Sequence, residues 1–565
     1  MNNRNKSLLA IIGVAAISFF AFAQELPRNQ TLYIGGFQWG PPTSYNPIGS
    51  GVAWPAQGQY EYIYETVFGY NLLTGALDPI LGAKLEQPDA TTLKVTLQPG
   101  TRWQDGKALT TKDVVYSFEL AKRQNVSYTA FWDYVSSMTA TNAKTITIKL
   151  NPKKLNLGLV KQNLAYTAIL PQHIWAGLEK SEKSLLGYSN MKPVGSGPYT
   201  LSSANNERVV LQRDEKYWGI KAYGLPAPKY VVHPIFKSND AGNLAFEQAQ
   251  VDLSQQFAPE IWKMWQDKKL PVSTWSKSEP FHVPGSIPLV FINASKKGLD
   301  NVLVRKAIAY SINYGLIAKT AMSSYSVPAN SSLVIPGGGE KKFYNADQVK
   351  ALGWNYNPEK AVDILENQLK AKKGGDGVYV LPDGTRLGPW KVQCPFGWSD
   401  WNQTLEIVAS GAKAIGIDIK TDFPEFPVAN ANMANGTFDL GMWYVAGVGP
   451  SSPWQRFRDV MDTRDVPAVG QTAFWGYGRY KNPKVGDLLD KAASADEATQ
   501  KQIYSELDKI FMTDIPAIPM MYRPLEFFQF NETNWTGFPS ESNPTAPPMF
   551  QGAGIRVLFG LKAKK

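Results

Sequence analysis

One cysteine, Cys394, stands in 565 residues. That scarcity excludes an intramolecular disulfide and any zinc or iron–sulfur site built from cysteines. Between Gln393 and Pro395 the side chain reads as a small buried hydrophobe. Histidine is nearly as rare: His173, His233 and His282 lie far apart, no HExxH pair occurs, and no acid stands at the spacing of a second ligand. All three read as structural or surface residues. The GxxxxGK[ST] phosphate loop and the GxSxG nucleophile elbow are both missing. Gly195-Ser196-Gly197-Pro198 is the nearest approach to a phosphate cradle, but its proline and the strand-like Tyr199–Leu201 make it a tight turn. No metal, nucleotide or organic cofactor is therefore expected. Beyond the N-terminus no long apolar run occurs, and a mean hydropathy of −0.26 excludes a polytopic membrane protein. Charge is not clustered either. The net +10 comes from 58 basic and 48 acidic residues. The two KAKK runs, at 370–373 and 562–565, are too short to track a phosphate backbone, so nucleic acid is not an expected partner.

What the chain does have is length, turns and aromatic rings. It is too long for one compact core, so two or more domains are expected. Hydrophobic residues at 44% and charged residues at 19% exclude disorder and coiled coils. Gly 47 and Pro 39 imply many turns, and 17 Trp with 26 Tyr imply large cores or an aromatic binding site.

The first residues look like an address. Arg4 and Lys6 precede an apolar stretch from Leu8 to Ala23, and Ala21-Phe22-Ala23 fits a small-x-small cleavage pattern. This is the pattern of a secretory signal peptide over 1–23, too short to span a membrane. No cysteine follows it to carry a lipid. The expectation is a free exported protein, periplasmic where there is an outer membrane.

Elements of both periods follow. Thr31–Gly35 (TLYIG) and Thr92–Leu97 (TLKVTL) read as strands, bounded by turn formers. Thr110 or Thr111 is placed to cap a helix carrying Val114, Phe118 and Ala121. Val304, Ala307, Ile308 and Ile312 mark a second helix; Ile503, Leu507, Ile510 and Phe511 mark a third, stopped by Pro516 and Pro519. Turn-rich breaks fall near 193–198, 224–228, 284–288, 336–339 and 543–548, none a long linker. The fold class is α/β, in closely packed lobes between which the chain crosses more than once.

The segment GTRWQDGKALTTKDVVYSFE at 100–119 resembles the signature of the family 5 extracellular solute-binding proteins of ABC importers, the peptide- and nickel-binding group. Further similar segments follow in order: GSGPYTL at 195–201, YWG at 217–219, LAFEQAQVDL at 244–253, VRKAIAYSIN at 304–313, NPEKAVDIL at 357–365, AIGIDIK at 414–420, GTFDL at 436–440 and IPAIPM at 515–520. The resemblance implies a two-lobed periplasmic-binding-protein fold (type II, large and cluster C-like) with an extra subdomain inserted in the first lobe. On that pattern 24–69, 189–291 and 521–565 make the first lobe, 70–188 the inserted subdomain and 292–520 the second lobe. It also implies a monomeric receptor that delivers its ligand to membrane permease subunits, and no enzyme.

Peptide binders of the family pin an α-ammonium with an aspartate soon after a segment like FDL-x-x-W. Here Phe438-Asp439-Leu440 leads to Trp443, and no carboxylate stands between Asp439 and Asp459. A buried ammonium without a counter-charge costs several kcal/mol, about the penalty for stranding an ion away from water. What stands there instead is aromatic. Trp39 and Trp54 bracket a polar stretch that includes Asn46. Trp398 and Trp401 flank Asp400, with Asn402 and Gln403 beside them, and Trp443 and Trp454 bracket a glycine-rich loop. Pyranose rings stack their C–H faces on indoles while amides and carboxylates take their hydroxyls. These segments are also similar to those of the family's cello-oligosaccharide-binding branch. The ten residues are therefore the candidate ligand contacts, for a β-linked gluco- or manno-oligosaccharide. An oligopeptide is the alternative within the family. A secreted glycosidase, with Asp400 as one of two carboxylates, is the alternative outside it.

Overall fold

The computed structural model describes residues 26–36, 42, 44–49, 61–181, 185–236, 239–464 and 466–564. The expected signal peptide, 1–23, lies outside the described residues. Strands form at Thr31–Gly35 and Thr92–Leu97, as the alternating pattern predicts. The helix Thr111–Glu119 opens with a capping box: the Thr110 side chain takes a helix amide while Asp113 Oδ2 accepts from Thr110 N at 2.8 Å. Its Val114 and Phe118 are fully buried, and Ala121 sits in the 3-10 turn beyond it. The other two expected helices run Val302–Ser311, capped by Asn301, and Glu497–Asp514, capped by Asp496.

Three sheets organise the chain. A seven-stranded sheet has the order Val272–Thr274, Gln529–Asn531, Leu253–Ser254, Thr31–Gly35, Tyr230–Pro234, Arg208–Arg213, Tyr199–Ala204. A five-stranded sheet has the order Ile419–Asp422, Trp390–Gln393, Leu440–Trp443, Leu289–Ile292, Ala517–Pro519. A four-stranded antiparallel sheet (Gly82–Asp89, Thr92–Leu97, Thr145–Leu150, Val135–Ala140) is covered by Thr111–Glu119 and carries its own core around Trp103, Val114, Phe118 and Ile148. These are the two lobes and the inserted subdomain of an α/β fold. Leu289–Ile292, whose first three residues group with the first lobe by sequence, pair into the five-stranded sheet, because Leu440–Trp443 and Ala517–Pro519 flank them on either side. Gly195 and Gly197 are needed for close approach: a Cβ on Gly195 would lie 1.8 Å from the Ile63 carbonyl oxygen.

The chain crosses between the large sheets twice, from Thr274 to Leu289 and from Pro519 to Gln529. The crossings lie antiparallel, with Ser286 opposite Arg523. Gly285 N and Ser286 N donate to Arg523 O at 2.9 and 2.8 Å, and Arg523 N donates back to Ser286 O at 3.0 Å. Paired strands at a crossing concentrate the motion in a few residues and let each lobe move as a body.

Two buried acids sit just before the inserted subdomain. Glu61 accepts from Gly552 N at 2.8 Å and Thr66 Oγ1 at 3.2 Å; Glu65 accepts from Tyr217 OH at 2.6 Å and Trp218 Nε1 at 2.8 Å. Burial outweighs these bonds, pushing Glu61 up to about 8 and Glu65 up to about 7. The folded chain therefore holds protons there that the unfolded chain releases above the ordinary carboxylate range. The stability they contribute is present at acid pH and is lost as pH rises through the folded values. Urea unfolding across pH 5 to 8 is expected to show declining stability, and Glu61→Gln a shallower decline. An unchanged slope in that variant would contradict the assignment.

Candidate functional site

In the five-stranded sheet Trp390–Gln393, Ile419–Asp422 and Leu440–Trp443 run parallel, so their C-terminal ends share one edge. Open α/β sheets bind ligands at that edge, in the loops beyond the strands. Here those loops carry Trp398, at the head of helix Ser399–Ala414, and Tyr444. Trp398, Trp443 and Tyr444 form a ladder of rings. Trp398 and Trp443 are 6.3 Å apart at 16°, and Trp443 and Tyr444 5.1 Å apart at 22°. Trp401 braces Trp398 edge-on at 4.8 Å and 75°. Of the outer rungs, Trp398 is partly exposed and Tyr444 is 49% exposed.

Beside the ladder lies a charge pair at the lobe crossing. Arg523 Nε donates to Asp400 Oδ2 at 3.1 Å, with the side chains 28% and 6% exposed, and the guanidinium rests 4.6 Å over the Phe527 ring. Asp400 Oδ1 and the two terminal nitrogens of Arg523 have no partner among the described residues. The pair is thus neutral overall, held in place, and still offers both acceptors and donors.

The glycine-rich loop is fastened from behind. Arg456, fully buried, donates through Nε to Ala446 O at 2.9 Å and through both terminal nitrogens to Glu340, at 2.7 and 2.9 Å. Asp459 folds back so that Oδ2 accepts from Ala446 N at 3.3 Å while Oδ1 takes Arg458 Nε at 2.9 Å. Burial raises the Asp459 pKa despite that cation. The carboxylate brought back to this loop is therefore already partnered.

Of the ten candidates from sequence, the structure brings Trp398, Asp400, Trp401 and Trp443 together. Trp443 and Trp401 are corrected from contacts to supports, because both are buried behind Trp398, at 1% and 4% exposure. Asn46 is corrected as well. It is fully buried, its Nδ2 donates to Leu185 O and Tyr188 O, both at 2.9 Å, and its Oδ1 accepts from Ile48 N at 3.0 Å. Asn402 spends its amide on Cys394 Sγ and Pro395 O, both at 3.0 Å. Trp454 is packed between helices with Nε1 on Leu489 O at 2.7 Å, and Gln403 is exposed on its helix. Trp39 and Trp54 lie outside the described residues. Arg523 and Tyr444 were missed, although Arg523 directly follows the IPAIPM segment and its two-residue sequel.

The rest of the expected inventory is accounted for. Cys394 is buried, and its thiol is pushed up to about 12 by that burial. His173 pairs with Asp105 at 2.6 Å; His233 and His282 are buried and pushed down to about 4 and about 3 by desolvation. Among the described residues no three His, Cys, Asp or Glu gather to hold a metal.

Residues 77–461 match the family described as bacterial extracellular solute-binding proteins, family 5 middle. A Thermotoga maritima periplasmic oligopeptide-binding protein of an ABC transporter, solved with mannohexaose bound, is 31% identical. It covers 96% of this chain and 100% of its own, with a TM-score of 0.84. The dipeptide-binding protein of Escherichia coli is 24% identical across 85% of this chain and 87% of its own length. The oligopeptide-binding protein of Bacillus subtilis solved with a nonapeptide shares the fold at a TM-score of 0.72 and 19% identity.

Removing Arg456 would leave Glu340 buried and unpaired. Arg456→Ala is expected to lower the unfolding free energy by about 3–5 kcal/mol, the cost of breaking a buried pair, while the apolar pair Arg456→Met with Glu340→Leu keeps most of it. Chemical denaturation measures both; a loss under about 1 kcal/mol in the single variant would mean the pair is not the anchor it looks to be.

Proposed function

The chain belongs to the family 5 bacterial extracellular solute-binding proteins, substrate-binding receptors of ABC importers and not enzymes, and from that premise we propose that it captures a β-linked oligosaccharide, cello- or manno-type, between its two lobes. The receptor works outside the cytoplasmic membrane, as its family does. In this reading 1–23 is removed on export, the mature chain acts as a monomer, and the loaded closed form is what the permease subunits receive. Closure between open and closed lobes then contributes to affinity through the free-energy difference of the two forms.

One observation carries the sugar reading: the stacked rings of Trp398, Trp443 and Tyr444 stand beside a self-neutralised Asp400–Arg523 pair. Sugar hydroxyls are uncharged and each can donate and accept, so they engage both partners without disturbing the pair's charge balance. A ligand ammonium would have to compete with Arg523 for Asp400, and a ligand carboxylate with Asp400 for Arg523. Asp459 is occupied by Arg458 and the Ala446 amide. The mannohexaose bound to the Thermotoga maritima protein is consistent with this chemistry.

The second reading is an oligopeptide, held largely through its backbone. Relatives named for dipeptide and oligopeptide binding favour it.

Isothermal titration with cellobiose to cellopentaose, mannobiose to mannohexaose, laminaribiose and tri-alanine separates the two. The expected result is a sugar Kd of micromolar or tighter, about −8 kcal/mol or better, with a tryptophan fluorescence change. Trp398→Ala and Arg523→Met should each weaken it at least about tenfold. Peptide binding with every sugar silent would overturn the oligosaccharide reading.

A further inference from the structure

A cavity of about 570 Å³ lies between the inserted subdomain and the second lobe, and none of Trp398, Trp443, Tyr444 or Arg523 lines it. Its walls come from three parts of the molecule. Strand Phe68–Tyr70 gives Tyr70, the helix Leu157–Tyr166 gives Lys161, and the second lobe gives Lys342, Tyr504 and the 449–452 loop. The subdomain and the loop touch at its edge. A Cβ on Gly158 would lie 3.0 Å from Pro450 O, and the Ser451 hydroxyl meets the Gln162 side chain.

The polar groups facing this space divide into spent and free. Two of the acids are paired with cations and the third caps a helix. Glu340 takes both terminal nitrogens of Arg456, Glu497 pairs with Lys342 at 2.5 Å, and Asp496 Oδ1 accepts from Thr499 N at 2.8 Å. The free groups are donors. Tyr70 and Tyr504 are each 3% exposed, yet neither phenol has a hydrogen-bond partner among the described residues. Lys161 makes no ion pair or hydrogen bond among the described residues either. Burial, with Lys342 nearby, holds its ammonium below the usual lysine range. One unpaired cation and two phenols therefore line a space whose one acid without a cation among the described residues, Asp496, is the cap of the helix Glu497–Asp514.

We propose that this cavity is a second binding site, taking a small organic oxyanion (a carboxylate or a phosphate ester) on Lys161, Tyr70 and Tyr504. An anion supplies the charge that Lys161 lacks and acceptors for both hydroxyls. The volume falls within the range of small-molecule pockets, roughly 300–1,000 Å³, and leaves room for a body beyond the anionic group. In this proposal the walls, drawn from the inserted subdomain and the second lobe, separate when the lobes open, so the anion binds the closed form preferentially. Linkage then requires that anion and main ligand tighten each other by the same factor. This site does not depend on which solute the main cleft accepts.

The full chain, and its Trp398→Ala variant, would be titrated with citrate and with glucose 6-phosphate at low ionic strength, with glucose as the neutral control. Saturable binding near or below about 1 mM is expected for at least one anion in both proteins, and none for glucose. The anion that binds identifies the group. Lys161→Met and Lys161→Gln, checked for folding by circular dichroism, should lose at least about tenfold, Tyr504→Phe less, and Lys161→Arg little. No saturation by either anion, equal binding of glucose, or unchanged affinity in both folded Lys161 variants would overturn the proposal.

Discussion

Arg523 is the residue on which the rest of the arrangement depends. Its backbone pairs with Ser286 across the two lobe crossings, and its side chain reaches Asp400 at the head of the helix behind the aromatic ladder. One residue thus joins the paired crossings to the helix behind the aromatic ladder. The carboxylate holds the guanidinium still, and the Phe527 ring beneath it supports it further. A charged group prepared this way loses little conformational freedom when a ligand arrives.

The same economy recurs around the glycine-rich loop. Beside the burial of Val448, polar bonds to the backbone set the position of this loop. Arg456 holds the Ala446 carbonyl, Asp459 holds the Ala446 amide, and Val448 N donates to Gly285 O at 2.8 Å, joining the loop to the first crossing. Buried charges do this only because each has its counter-charge: Arg456 with Glu340, Asp459 with Arg458. Loop, ladder and crossing are thus tied together by hydrogen bonds and ring contacts.

What was legible in the sequence was local. The strand at Thr31–Gly35, the strand at Thr92–Leu97 and the capped start of Thr111–Glu119 depend on neighbours within a few residues, and they form where the pattern predicts. The sequence also singled out Trp398 and Trp443, whose rings do meet. What was not legible was which side chains are already committed. Asn46 is satisfied by Leu185 and Tyr188, Trp454 by Leu489, and one oxygen of Asp400 is taken by Arg523, 123 positions away. Such pairings arise from the packing of distant elements, so a polar or aromatic residue beside a ligand and one buried behind it look alike in sequence. Gly195 shows the converse: a motif resembling a phosphate cradle is glycine-rich because the Ile63 carbonyl leaves no space for a Cβ.

The most direct test of the central claim is a crystal structure of the protein grown with mannotetraose or cellotetraose. The account predicts a pyranose ring lying parallel to the Trp398 indole, with hydroxyls bonded to both Asp400 and Arg523 and the pair between them intact. A sugar bound elsewhere, or an Asp400–Arg523 pair broken apart to receive a charged ligand, would contradict it.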